Sequence, residues 1–243
     1  GSDNTAGLLS LTLALLSSGG GPLILDADAL NALSTVGEEG ICALKNAKRS
    51  VIITPHPLEF ARISMTDVAS VQLNRLSAAI KFCEQNNVSL VLKGAGTIVT
   101  NGKKTLINTT GSSALAKAGS GDVLAGLIGA MVAQSPDTPL ESSAVSVYLH
   151  AVAGQNLAGE FSSYGVTPSD LPKEIEIDAA ALVNVDDKLT IANIVLPSGV
   201  EFADKELDKE QVVASLYDPA AEAEKREAEA EAEPMDAADV PAD

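Results

Sequence analysis

The sequence predicts an α/β fold, a mostly parallel sheet held between helical layers. Three observations predict it. Short continuous apolar runs alternate with longer helical stretches, as strands buried on both faces require. The apolar palette is Ala, Leu, Val and Ile, with only 3% aromatics and no tryptophan, which suits helices packed on such a sheet. Each polar motif of interest directly follows a predicted strand, where sheets of this kind bind their ligands.

The elements follow in order. Asp3–Ser18 reads as an apolar helix with Asp3, Asn4 or Thr5 available as caps, and Gly19-Gly20-Gly21-Pro22 breaks it. Leu23–Leu25 is a short buried strand, after which Asp26-Ala27-Asp28-Ala29-Leu30-Asn31 turns the chain into a helix. A second buried strand, Ser50–Thr54, stops at Pro55-His56-Pro57. Val68–Asn86 carries the pattern of one long amphipathic helix, closed by Asn86-Asn87. Val88–Leu92 is a third strand and runs into Lys93-Gly94-Ala95-Gly96. Thr97–Thr100 and Thr105–Ile107 form a predicted antiparallel hairpin across Asn101-Gly102, a strong short-range hairpin signal. Helices rich in Ala and Gly follow near Val123–Gln134 and Leu140–Glu160.

Past about Ile175 the character changes. Ile177–Val200 holds β-like apolar clusters, and Glu201–Tyr217 reads as a polar helix. Residues 218–243 alternate Ala and Glu with no apolar face, the pattern of a solvated, disordered tail. The expected organisation is therefore a main domain over 1–175, an extension over 176–217 and an acidic tail over 218–243.

A formal net charge of −17 argues against nucleic acid or an anionic membrane as partners. Ten acidic residues against Lys225 and Arg226 lie in the tail alone, so the remainder is only moderately acidic. The apolar stretch Gly7–Leu16 is about half a bilayer-spanning helix, and it reads as a buried helix. Cys42 and Cys83 form neither a Cys-x-x-Cys pair nor a ligand cluster, and reduced thiols in a cytoplasmic protein are expected.

The most informative stretch is Gly119-Ser120-Gly121-Asp122, set in a long polar, Gly-rich approach and followed at once by an apolar helix. Glycines let the backbone come close to a phosphate, and amides opening a helix point at it. An aspartate at such a mouth would repel phosphate. Its chemistry is instead that of a base taking the proton from an attacking hydroxyl. The same four residues also read as a loop ending in an Asp N-cap. The pattern is neither a Walker loop nor a dinucleotide fingerprint.

Six ordered motifs between about Pro22 and Ile175 carry a resemblance. They are Pro22 through Asn31; Thr54-Pro55-His56-Pro57-Leu58-Glu59-Phe60; Val91-Leu92-Lys93-Gly94-Ala95-Gly96-Thr97; Asn108 through Gly126; Leu149-His150-Ala151-Val152-Ala153-Gly154; and Thr167-Pro168-Ser169-Asp170-Leu171. Together they resemble the ADP/ATP-dependent NAD(P)H-hydrate dehydratase family, whose fold is ribokinase-like, a three-layer α/β/α architecture. The resemblance implies a lyase that repairs hydrated NADH and NADPH. A nucleotide phosphate activates the added hydroxyl, phosphate leaves, and the dihydronicotinamide is restored. ADP is the expected donor, ATP the alternative, with Mg²⁺ as cofactor. By the same resemblance, Asp122 is the catalytic base and touches the hydrate, as does His56. Gly119, Ser120 and Gly121 serve the transferred phosphate, and Lys93, Gly94, Ala95, Gly96 and Thr97 the AMP part. Glu59 helps hold Mg²⁺ through water.

Some residues keep plainer readings. His56 between prolines also suits a strand-end cap, and Lys93 an exposed charge beside a turn. Asp26 and Asp28 read as a helix cap and its neighbour, and His150 as a packed core histidine. Lys117 either steadies phosphate or extends into solvent. Three departures from the family pattern stand out: Ala118 where Gly is usual, Ser112-Ser113 for Asn-Pro, and Leu58 for Gly. A larger departure is that the family's upstream Gly-rich strand–helix region is missing. The sheet is thus expected to lack its first strands, with the complementary half supplied by a larger parent or a second chain. A homo-oligomer is expected, with an epimerase domain as a further candidate partner. Two other functions fit the same motifs: a non-catalytic binder of nucleotide or a partner subunit, and a small-alcohol or vitamin-precursor kinase.

Overall fold

The computed structural model describes residues 2–174, 188–190, 210 and 212–215, within two compact units, Gly1–Glu176 and Ile177–Asp243. The first unit opens with helix α1 (Ser2–Ser17), strand β1 (Leu23–Leu25), and helices α2 (Asp28–Ser34) and α3 (Glu38–Lys45). Strand β2 (Val51–Ile53), helices α4 (Pro57–Ile63), α5 (Val68–Leu73) and α6 (Arg75–Asn86), and strand β3 (Ser89–Leu92) follow. The hairpin strands β4 (Ile98–Thr100) and β5 (Thr105–Ile107) come next, then a 3-10 turn at Ser113–Leu115 and helices α7 (Ser120–Gln134), α8 (Pro139–Gly165) and α9 (Leu171–Glu174).

The five strands lie in sheet order β1-β2-β3-β4-β5. β1, β2 and β3 pair in parallel, and the hairpin adds two antiparallel pairings, so the sheet is mixed. Side chains alternate between faces along a strand, and the core divides accordingly. Leu25, Ile53, Leu90, Leu92 and Ile98 pack beneath α1–α6 with Leu16, Leu33, Phe60 and Phe82. Ile52, Val91 and Val99 face the other way, onto Leu124, Ile128 and Val132 of α7 and Leu140 and Val147 of α8. This is the expected three-layer arrangement.

Because β1, β2 and β3 run parallel, their carboxyl ends share one edge. Two backbone bonds extend the alignment past the strands, from Thr54 N to Leu25 O (3.1 Å) and from Lys93 N to Pro55 O (2.9 Å). β5 runs antiparallel to β4 and so re-enters the same edge, where Asn108 N donates to Thr97 O (2.9 Å). The topology thus delivers Asp26, His56, Lys93 and the glycine loop to one end of the sheet.

Several expectations need correction. The single helix over Val68–Asn86 is two helices, broken at Asn74 (φ −135°, ψ 40°). The break lets the chain restart at Arg75, whose guanidinium donates to the carbonyls of Leu92, Lys93 and Ala95. Tertiary bonding of one arginine outweighs the continuous helical period. The helix expected from Val123 begins at Ser120, and α8 runs on to Gly165 with non-helical backbone at Ser162.

In the second unit, β6 (Lys188–Thr190) pairs antiparallel with β7 (Val212–Ser215), which corrects the polar helix expected over Glu201–Tyr217. Val212 and Val213 are β-branched and favour extended backbone when a partner strand is at hand. The acidic tail, 218–243, lies outside the described residues. Cys42 and Cys83 are both free; burial pushes the Cys83 thiol pKa up to about 12. Among the described residues no helix is long and apolar enough to cross a membrane.

One glycine is required by close approach. A Cβ on Gly40 would sit 2.3 Å from the Leu33 carbonyl oxygen, a backbone atom that cannot swing aside. Gly40→Ala is expected to force α3 off α2 and destabilise the fold by about 1–3 kcal/mol. A urea titration showing an unchanged midpoint would contradict that packing.

Candidate active site

The glycine loop ends at Gly119, whose φ of +91° and whose contact with Pro168 (3.2 Å from a built Cβ to Cγ) leave no room for a side chain. Pro168 is presented by the Thr167–Asp170 turn. There Asp170 accepts from Thr167 N and Oγ1, bonds that hold its carboxyl below the usual range. α7 then starts at once. Ser120 N is satisfied by Lys117 O, whereas the amides of Gly121 and Asp122 have no acceptor among the described residues. First-turn amides of this kind form an anion site. Asp122 is the third residue of the helix, not its N-cap; it is exposed and has no ion-pair partner among the described residues.

Next to Gly121 stands a charged cluster. Lys93 Nζ lies 3.3 Å and Asp26 Oδ2 3.8 Å from where a Cβ on Gly121 would be. Lys93 donates to Asp26 Oδ1 at 2.8 Å, and the two side chains are only 20% and 13% exposed. Glu59 Oε2 is 3.9 Å from the same ammonium. Asp26 is therefore not the expected cap of α2. The N-cap there is Ala27, with no side-chain bond, and Asp28 sits in the first turn.

His56 caps α4. Its Nδ1 accepts from Glu59 N (3.2 Å), while Glu59 Oε2 accepts from His56 N (2.8 Å), so the two close a reciprocal capping box. With Nδ1 accepting, the proton sits on Nε2, 3.2 Å from Glu59 Oε1. The ring remains 46% exposed and Glu59 is nearly buried. The bonds of Arg75 fix the Lys93–Ala95 carbonyls, and Thr97 Oγ1 donates to Gly94 O (3.0 Å). Among the described residues no three His, Cys, Asp or Glu side chains gather into a metal cluster.

Two other placements emerge only in three dimensions. Lys117 does not simply extend into solvent. It donates to the carbonyls of Tyr164 and Val166, where α8 ends. His150 is buried as expected, but it also holds the loop: its Nε2 donates to Ser120 O (3.0 Å) and lies 3.2 Å from Ser120 Oγ. Desolvation by burial lowers its pKa below 6.5. The folded state therefore resists protonation that the unfolded chain accepts. Stability is held above pH 6.5 and falls as the pH drops below it. Denaturant midpoints at pH 7.5 and 5.5 check this, and His150→Leu should flatten the difference.

Residues 3–177 match the NAD(P)H-hydrate dehydratase family. The chain belongs to that family. An ADP-dependent (S)-NAD(P)H-hydrate dehydratase from Neisseria meningitidis serogroup B is 38% identical over 164 residues, covering 67% of this chain and 53% of the relative. A bifunctional NAD(P)H-hydrate repair enzyme from Moorella thermoacetica is 36% identical over 156 residues, covering 62% of this chain and 28% of the relative. The crystal structure of the ADP/ATP-dependent dehydratase of Bacillus subtilis, co-crystallised with ATP and Mg²⁺, superposes with a TM-score of 0.53. Its identity is 30%, over 64% of this chain and 57% of that one. The chain thus spans about half the length of the Neisseria relative and less of the bifunctional one. A hydroxyethylthiazole kinase from Pyrococcus horikoshii, at 18% identity and a TM-score of 0.54, shares the ribokinase-like fold alone. Residues 163–220 also match the C-terminal domain of ribosomal protein TL5, so the second unit of this dehydratase-family chain has a likeness of its own.

Sequence reasoning singled out the glycine loop, Asp122, His56, Glu59 and Lys93, all of which lie at one sheet edge or on the helix beside it. It missed the Asp26–Lys93 pair and the roles of Arg75 and His150. The available signal was that Asp26 and Lys93 each directly follow a strand. Their meeting depends on β2 lying between those strands.

Proposed function

We propose that the chain carries out ADP-dependent dehydration of hydrated NADH and NADPH. The observation behind this reading is the exposed Asp122 carboxylate, without an ion-pair partner among the described residues, on the same helical turn as two free amides. The chemistry balances as follows. The hydrate oxygen attacks the terminal phosphorus of ADP, its proton passes to Asp122, and the bond to AMP breaks. The C–O bond of the phosphate ester then breaks with its electron pair leaving on phosphate. Loss of a neighbouring ring proton restores the double bond. The Gly121 and Asp122 amides would neutralise the transferred phosphoryl oxygens, and the Gly94–Thr97 loop would hold the AMP part. His56, half-exposed beside the cluster, would touch the hydrate. ADP is preferred to ATP because the Neisseria relative, 38% identical, is named for it.

Mg²⁺ fits this site only as a partner of phosphate and water. Both Glu59 oxygens already face His56, and Lys93 lies beyond one of them, so Glu59 would reach the ion through water. When bound, the ion would offset phosphate charge. The test is recovery of dihydronicotinamide absorbance from NADPH hydrate with Mg²⁺ and either ADP or ATP. Recovery with ADP supports the reading and names the donor. A folded chain that binds both nucleotides yet restores no absorbance counts against it.

A further inference from the structure

We infer that the Lys93 side chain serves the transferred phosphate, not the AMP part, and that Asp26 is the positioning residue that keeps it there; this rests on the nucleotide-dependent reading above. The loop and the side chain of Lys93 are held by different partners. Its amide is bound by Pro55 O and its carbonyl by Arg75, so the backbone is fixed independently of the ammonium. The ammonium instead turns toward the start of α7, 3.3 Å from the Cβ position of Gly121, with no side chain between them. Lysine has three N–H donors. Asp26 takes one at 2.8 Å, and Glu59 at 3.9 Å is beyond hydrogen-bond range, which leaves donors for an arriving anion. Asp26 thus spends part of the charge to fix the direction. Without it, Glu59 is the remaining carboxylate within 4 Å of the ammonium among the described residues, and it would draw the ammonium to itself.

The experiment is calorimetric titration of the full chain with AMP and with ADP, each with Mg²⁺. The wild type should bind ADP more tightly than AMP. Lys93→Met should erase about 10- to 100-fold of that preference, the worth of a charge-assisted bond, while AMP affinity stays within about twofold. Asp26→Ala should lower the preference in the same sense. Asp26→Asn, which keeps an oxygen acceptor for the ammonium, should restore most of it. A merely structural defect weakens both nucleotides together and lowers the melting temperature, so the ratio separates the two. Equal loss of AMP and ADP in Lys93→Met at an unchanged melting temperature overturns the phosphate role. An unchanged or raised ratio in Asp26→Ala overturns the positioning role, and the Asp26 variants decide the matter if Lys93→Met does not fold. A wild-type chain that binds neither nucleotide defeats the nucleotide reading itself, and this inference with it.

Discussion

Asp122→Asn is expected to cut turnover of hydrated NADPH by about 10²- to 10⁴-fold, the usual worth of a positioned general base, while ADP binding stays near wild type. The substitution is nearly isosteric, so the first turn of α7 and its two free amides should persist. What disappears is the ability to accept a proton. Asp122 has no ion-pair partner among the described residues, so its loss should leave no stranded charge elsewhere. Single-turnover recovery of dihydronicotinamide absorbance measures the rate, and a parallel ADP titration measures binding. A variant that turns over near the native rate would show that the proton goes elsewhere.

The second large effect concerns stability. Phe60→Ala should cost about 3–5 kcal/mol, the range for removing a buried phenylalanine. The ring is 1% exposed and meets Phe82 edge-on, with centroids 5.3 Å apart and planes at 72°. The chain has only four phenylalanines and no tryptophan, so aliphatic neighbours would have to collapse around the hole. Phe60 directly follows Glu59 on α4, and the cavity would loosen the capping box with His56 as well as the core. Chemical denaturation should show a lower midpoint with an unchanged slope. A loss under about 1 kcal/mol would mean that the site relaxes to fill the space.

Much of this molecule was legible locally. Leu23–Leu25 was predicted residue for residue, because three apolar residues between a Gly-Pro break and an Asp-rich turn leave little else. Asn87 ends α6 in the left-handed conformation that asparagine tolerates, and the Asn101-Gly102 hairpin formed where turn chemistry placed it. Where local signal and tertiary bonding disagreed, bonding won. The apolar period runs unbroken from Val68 to Asn86, yet the chain breaks at Asn74, and Arg75 reaches three loop carbonyls.

The site divides in the same way. That the Gly119–Asp122 run would lead straight into a helix was readable, since it needs only glycine geometry and the apolar period that follows. So was the gathering of motifs at one sheet edge, which follows from parallel strands. The pairing of Asp26 with Lys93 across the intervening strand β2 was not, nor was the bond from His150 to Ser120, thirty residues away. Spacing along a chain records which residues share a turn or a face. Which side chains meet depends on strand order and helix docking, and these are settled by burial of the whole apolar surface at once.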